Sequence, residues 1–291
     1  MAFGVVTIAF LALHASGDPL VTLLPAEVSQ QELAGVRAKL GLDQPLYVQY
    51  GRFLADAVRG DFGRSFREGE PAMALVVERL PATIQLTAGA MGLAILVGVP
   101  LGVLAAVYRG SVWDYLAIGF AVLGQAIPSF WLGLVLILTL SVGLNWLPTS
   151  GSDGPIYLIM PVITLGWYTA ASIARMVRTS MLEVLGQEYL VTARAKGLNA
   201  RTIIVRHALK NAAIPVVTLI GIQLGSMLGG AVVVETIFSW PGVGRLLVQS
   251  ILGRDYPAVQ AAIFLLAMTF VVLNMLVDLV NGYLDPRMRA S

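Results

Sequence analysis

The sequence predicts an all-α polytopic membrane protein. About six transmembrane helices are expected, with a small external domain after the first and a cytoplasmic elbow between the fourth and fifth. Three observations carry this reading. Hydrophobic residues fill 57% of the 291 positions and charged residues only 12%, with a mean hydropathy of +0.79; soluble domains carry about 25% charged residues. The apolar residues are gathered into runs near the roughly 20 residues that cross a hydrocarbon core. The charges are gathered as well, chiefly in residues 16–82 and 177–213, so the chain divides into a first helix (1–15), an external domain (16–82) and a membrane core (83–291) that holds the elbow.

The same composition removes several classes of function. A net charge of +2 is too small to argue for nucleic acid, and the absence of cysteine removes disulfides, thiolate chemistry and Cys-based metal sites. His14 and His207 are the only histidines and stand far apart, so no metal site is expected. No Gly-x-x-x-x-Gly-Lys-[Ser/Thr] loop, His-Glu-x-x-His helix or Gly-x-Ser-x-Gly elbow occurs. The chain is therefore not expected to bind ATP in the P-loop manner or to hold a cofactor; a membrane-embedded enzyme would need a dispersed site, and that reading or an assembly factor stands as a third alternative.

In order, Ala2 to Leu13 is apolar but shorter than a span, and is expected to be the C-terminal part of a first transmembrane helix whose beginning lies before Met1. Ser16 to Pro81 interleaves acids and bases as a soluble surface does. Glu27 to Leu40 and Tyr47 to Val58 are helix-like, and Gly60-Asp61-Phe62-Gly63 is a turn signal. Thr83 to Val107 is an uncharged span whose Gly89, Gly92, Gly98 and Gly102 permit close helix approach. Arg109 marks the next loop as cytoplasmic. Tyr115 to Val142 is a span with a kink expected at Ile127-Pro128-Ser129-Phe130. Gly143 to Ile156 is an external loop edged by Trp146. Tyr157 to Ile173 crosses again, and Arg175 and Arg178 open the basic cytoplasmic segment.

That segment organises the rest. From Glu188 to Pro215 it carries Arg194, Lys196, Arg201, Arg206 and Lys210, with Glu188 its only acid. Gly197 divides it, as a residue that takes the left-handed conformation closing a helix. Asn199 is placed to N-cap a second short helix through Leu209. The spacing predicts a helix-turn-helix elbow. Positive-inside topology explains a basic loop equally well, but not the placement of Ala193, Gly197 and Leu209.

Ile214 to Val234 returns through the membrane with Gly221, Gly225 and Gly229 on one face, read as a packing stripe ahead of a pore lining. Gln223 is its one polar amide and the candidate for facing a cavity. Glu235, at the membrane edge, needs a partner or water, and is read either as a gate residue or as a helix-end cap. Ala258 to Leu284 is the last span, with Asn274, Asp278 and Asn281 sharing a face.

These stretches resemble a known family. Thr192-Ala-Arg-Ala-Lys-Gly197 followed by Arg206-His-Ala-Leu209 resembles the cytoplasmic coupling loop of the inner-membrane permeases of bacterial ATP-binding-cassette importers, in the version of the dipeptide, oligopeptide and nickel branch. Val191-Thr192, His207 and Lys210 depart from the broad pattern in the manner of that branch, while Ala193, Gly197 and Leu209 match it. Leu40 to Pro45 and Gly60 to Ser65 resemble the branch's external domain. Glu235 to Leu246, with Trp240, resembles its external re-entrant helix, and Arg254 to Pro257 its exit.

The resemblance implies a transmembrane permease subunit that moves short peptides, or nickel chelates or glutathione. It implies a multi-pass chain in the bacterial cytoplasmic membrane, among lipid, with both termini cytoplasmic. The implied partners are a second, different permease, two ATPases that use ATP and Mg, and an extracytoplasmic substrate-binding protein. Glu188, Ala193, Arg194, Lys196, Gly197, Arg201, His207 and Leu209 would couple to the ATPases; Gln223, Glu235 and Trp240 would border the gate or cavity. A secondary transporter, the runner-up, requires an inverted repeat and a midplane ion site, and neither is seen in the sequence.

Overall fold

The computed structural model describes residues 2–15, 35–38 and 43–284. The described residues are helical almost throughout. In chain order the helices are α1 (Ala2–Ala15), α2 (Leu46–Val58), α3 (Ala72–Val107), α4 (Val112–Ala126), α5 (Ser129–Gly143), α6 (Ile159–Leu185), α7 (Glu188–Ala195), α8 (Ala200–Ile237), α9 (Val243–Leu252) and α10 (Tyr256–Leu284). Among them, α3, α6, α8 and α10 are long and apolar enough to cross a membrane, and the bent pair α4–α5 makes a fifth span if counted as one. The sixth expected span rests on α1, whose 14 described residues are short of a crossing. Most of the expected helix over Glu27 to Leu40, the side chains of Asp278 and Asn281, and the tail from Asp285 lie outside the described residues.

The chain forms two compact units, Met1–Thr83 with Pro241–Thr269, and Ile84–Trp240 with Phe270–Ser291. The first has a conventional apolar core in which Phe62, Val76, Val243 and Ala261 are buried, with Phe53 and Phe264 packed against it. Phe10 of α1 stacks on Phe53 of α2, and Thr7 and Tyr50 share a 2.7 Å hydrogen bond. The turn signal at residues 60–63 is a real turn, with the Gly63 N–H donating to Asp61 Oδ1 at 2.8 Å. Asp255 is buried at the head of α10 and ties that helix to the loop after the turn: Ser65 Oγ donates to it at 2.5 Å and the Phe66 N–H at 3.0 Å.

The second unit is arranged around α6, which packs on α4, α5 and α8. Its fit against α3 depends on glycine. A Cβ on Gly98 would stand 2.7 Å from the Ala170 carbonyl oxygen, and one on Gly102 would stand 2.5 Å from that of Ala174. In lipid, small residues at such crossings replace the hydrophobic drive available in water. Gly102→Ala is therefore expected to destabilise by about 1–3 kcal/mol through forced separation of two backbones. Gly92→Ala, on the same helix with nothing within 4 Å of a Cβ, is expected to be neutral or to stabilise by up to about 1 kcal/mol. Thermal midpoints of the two purified variants in one detergent check the contrast.

The stripe on α8 divides in the same manner. Gly221 and Gly225 press on Val277 and Phe270 of α10, whereas Gly229 faces open space.

Several boundaries differ from the expected ones. α3 starts at Ala72 and carries Pro81 and Pro100 within it. The kink after Gln125 is a bend of 103°, because Pro128 follows an extended Ile127 and starts a new helix. α6 does not stop before Arg175 but continues to Leu185, since both arginines find partners on α4. The helix after Asn199 does not end at Leu209. It passes through a π-helical segment, Ile203–Ala208, and then Pro215, into the span without interruption.

Candidate functional site

The elbow is built by two breaks in one helical path. α6 stops at Gly186, and Gln187 is extended (φ −77°, ψ 145°) ahead of α7. On α7, Leu190 and Ala193 are buried, three residues apart and so on one face, while Tyr189, Val191 and Arg194 point outward. The helix closes through bonds from Lys196 N–H to Thr192 O (3.0 Å), Gly197 N–H to Arg194 O (2.9 Å) and Leu198 N–H to Ala193 O (3.3 Å). These require a left-handed residue, and Gly197 has φ +79°. A Cβ there would meet nothing within 4 Å, so backbone conformation rather than crowding selects glycine. Asn199 then caps α8, its Oδ1 accepting from the Thr202 N–H at 2.8 Å.

The two arms are also clasped by side chains. Asn211 Nδ2 donates to Tyr189 Oη at 2.7 Å, and that hydroxyl donates to the His207 carbonyl at 3.4 Å. His207 and Leu209 are half-buried on the inner side of the elbow, beside the buried Ala208. Glu188, Arg194, Lys196 and Arg201 are all exposed. Leu198 and Val205 are exposed among the cations, and a groove of about 270 Å³ runs between Arg194, Leu198 and Ile203 on one side and Val107 and Leu185 on the other. The arrangement is a stiff knuckle with a basic, partly apolar face. It can carry force, and it suits a cleft lined with acids and apolar side chains.

Of the candidate gate residues, Glu235 lies near the far end of the same helix, Trp240 just beyond it and Gln223 within the helix. Glu235 is fully buried and Trp240 nearly so, and the Trp240 N–H donates to the Glu235 carbonyl at 2.9 Å to close α8. Gln223 is buried, with Ser226 Oγ donating to its carbonyl at 2.9 Å and standing 3.3 Å from its Oε1. Arg201 and Glu235 are separated by about 50 Å of helix at 1.5 Å per residue. The two sets are not brought together; one rod joins them.

Two arrangements have no counterpart in the sequence reading. Asp114, buried in the first turn of α4, receives Arg178 Nε at 2.6 Å on Oδ1 and Nη2 at 3.0 Å on Oδ2, and the Gly110 N–H at 3.0 Å. One turn away on α6, Arg175 Nη1 donates to Gln125 Oε1 at 2.8 Å. A signal was available, because Asp114 is the only acid between Glu78 and Asp153 and opens an apolar helix.

Known proteins supply the last observation. Residues 98–290 match the family described as the inner membrane component of binding-protein-dependent transport systems, and residues 2–87 match the N-terminal family of the same membrane components. The glutathione transport system permease protein GsiC of Escherichia coli strain K12 is 43% identical over 288 residues, covering 99% of this chain and 94% of its own. The dipeptide transport system permease protein DppB of the same strain is 40% identical over 319 residues, covering 98% and 94%. Among solved structures, an inward-facing MetNI methionine ABC transporter superposes with a TM-score of 0.62 at 21% identity, over 73% of this chain and 97% of that one. An amino acid ABC transporter solved with histidines gives 0.58 at 16% identity, over 72% and 94%. This chain belongs to the inner-membrane permeases of binding-protein-dependent ABC importers, in the branch that holds the peptide and glutathione permeases.

Proposed function

We propose that this permease subunit imports short peptides, glutathione-like tripeptides among them. It does so in the bacterial cytoplasmic membrane with both termini inside, as one half of a heterodimer with a different permease. Two separate ATPases with ATP and Mg drive it, and an extracytoplasmic binding protein delivers the solute. Residues 177–213 are the elbow through which the ATPases act, and the part around residues 16–82 faces the binding protein. The observation that carries the reading is the knuckle at Gly197, held by the Asn199 cap and the Tyr189–Asn211 clasp and continuous with the span through Ile237. Closure of the ATPases moves the knuckle, and α8 transmits that movement as a rigid rod toward Glu235 and Trp240. The cavity then opens to one side of the membrane at a time.

The test is purification of the chain with the products of its neighbouring reading frames, followed by reconstitution. The expected result is a complex containing two ATPases and a second permease. Its ATP hydrolysis rises when the loaded binding protein is added, and dipeptide or glutathione accumulates. A purified chain that transports by itself, down an ion gradient and without any ATPase, overturns the reading in favour of a secondary transporter.

A further inference from the structure

A cavity of about 630 Å³ opens between α4 and α6 in the second unit. Ala121, Val122 and Ala174 form its apolar wall, and Gln125, Arg175 and Arg178 stand at its edge. The two arginines differ in what they face. Arg178 is neutralised by the bidentate pair with Asp114, whereas Arg175 is held by the neutral amide of Gln125 and remains exposed.

Depth gives this arrangement its meaning. Gln125 lies eleven residues beyond Asp114 on α4, about 16 Å at 1.5 Å per residue. Asp114 sits directly after the short connection at 108–111, and the hydrocarbon core is about 30 Å thick. The Arg175 guanidinium is thus drawn inward from the membrane edge, toward Gln125. Facing lipid at the bilayer centre costs about 2.5–3.5 kcal/mol or more, so a group drawn that way turns to a watery cavity or to protein. The helical path also breaks here, with the 103° bend between α4 and α5 immediately after Gln125. Irregular backbone at this depth is tolerated where it lines a cavity or is covered by protein, and broken helices at the midplane mark solute sites in transporters.

We infer that Arg175, positioned by Gln125, is a carboxylate-recognising station on the translocation path. It would take the C-terminal carboxylate of a short peptide or any small solute bearing the same group; the peptide identity rests on the proposed function above. A guanidinium has five N–H donors in a planar fork, and the bond to Gln125 occupies one of them. The rest are available to a carboxylate in the two-bond geometry that lysine does not reproduce. The apolar wall tolerates varied side chains, as a path for many peptides requires.

The chain has no cysteine, so a single introduced one reports without background from this subunit. Thr179 lines the same cavity one turn from Arg175. In the full complex, Thr179→Cys is treated with an anionic sulfonate and a cationic trimethylammonium methanethiosulfonate, with Arg175 present or as Arg175→Gln. The anion-to-cation rate ratio is expected to be at least about fivefold higher with Arg175 present, corresponding to roughly 1 kcal/mol of local attraction. Equal ratios, or an introduced thiol that reacts only with lipid-soluble N-ethylmaleimide, overturn the inference. This arm needs no transported solute, so it decides the matter even if wild type accumulates neither peptide nor glutathione, an outcome that would instead sink the peptide reading. Where wild type does transport, Arg175→Gln is expected to lower uptake of dipeptide or glutathione about tenfold or more while ATP hydrolysis stimulated by the binding protein persists, with partial recovery in Arg175→Lys. Uptake within about twofold of wild type in Arg175→Gln overturns the inference as well.

Discussion

Asp114→Ala is expected to lower the thermal midpoint and the yield of monodisperse complex. The substitution strips a half-buried guanidinium of both its charge-assisted bonds and leaves the Gly110 N–H without its acceptor. Breaking one side of a buried pair costs about 3–5 kcal/mol, because the surviving charge is left without its partner. The Arg178 side chain is 25% accessible, which places the expected loss toward the lower end of that range. Even so, that is a large share of a net stability of about 5–15 kcal/mol. The doubly apolar Asp114→Leu with Arg178→Met is expected to recover most of the loss, since neither member then demands solvation. Yield of monodisperse complex and its thermal midpoint read both variants. A single Asp114→Ala melting like wild type, or a double variant no better than the single, defeats the argument.

What sequence reasoning reaches here follows the range of the forces involved. The Gly197 turn and the Asn199 cap are set within a few residues: a left-handed backbone excludes most side chains, and a cap needs an acceptor placed three residues ahead of an N–H. Both were legible. The packing stripe at Gly221 and Gly225 was legible too, because helical periodicity shows which positions share a face, although the open space at Gly229 depends on a neighbour that periodicity does not reveal.

The Asp114–Arg178 pair joins residues 64 apart, and the Arg175–Gln125 bond residues 50 apart. Read locally, each arginine is only a positive-inside mark, which sets the end of α6 before Arg175 instead of at Leu185. The continuity of α8 was hidden for another reason. Pro215 resembles a boundary, and the π-helical segment before it, which keeps the path unbroken, has no local composition signal.

That continuity sharpens the second large expectation, which concerns Gly197→Asp. The elbow and the Glu235 turn belong to the two ends of one helix, so on the proposed coupling a misdirected knuckle misdirects the whole helix rather than a loop. Aspartate at φ +79° carries a left-handed cost of about 1–2 kcal/mol, and it sets a carboxylate among Arg194, Lys196 and Arg201. If the partner cleft is acidic, the added charge also repels it. Uptake is expected to fall about tenfold or more while ATP hydrolysis continues and membrane insertion is normal, which is uncoupling rather than misfolding. Gly197→Asn separates the two causes, since asparagine matches aspartate in size and closely in left-handed tolerance but brings no charge. It is expected to retain uptake within about threefold of wild type, and a loss as deep as that of aspartate would assign the effect to backbone geometry alone. Unchanged uptake per ATP hydrolysed in Gly197→Asp would remove the knuckle from the coupling path.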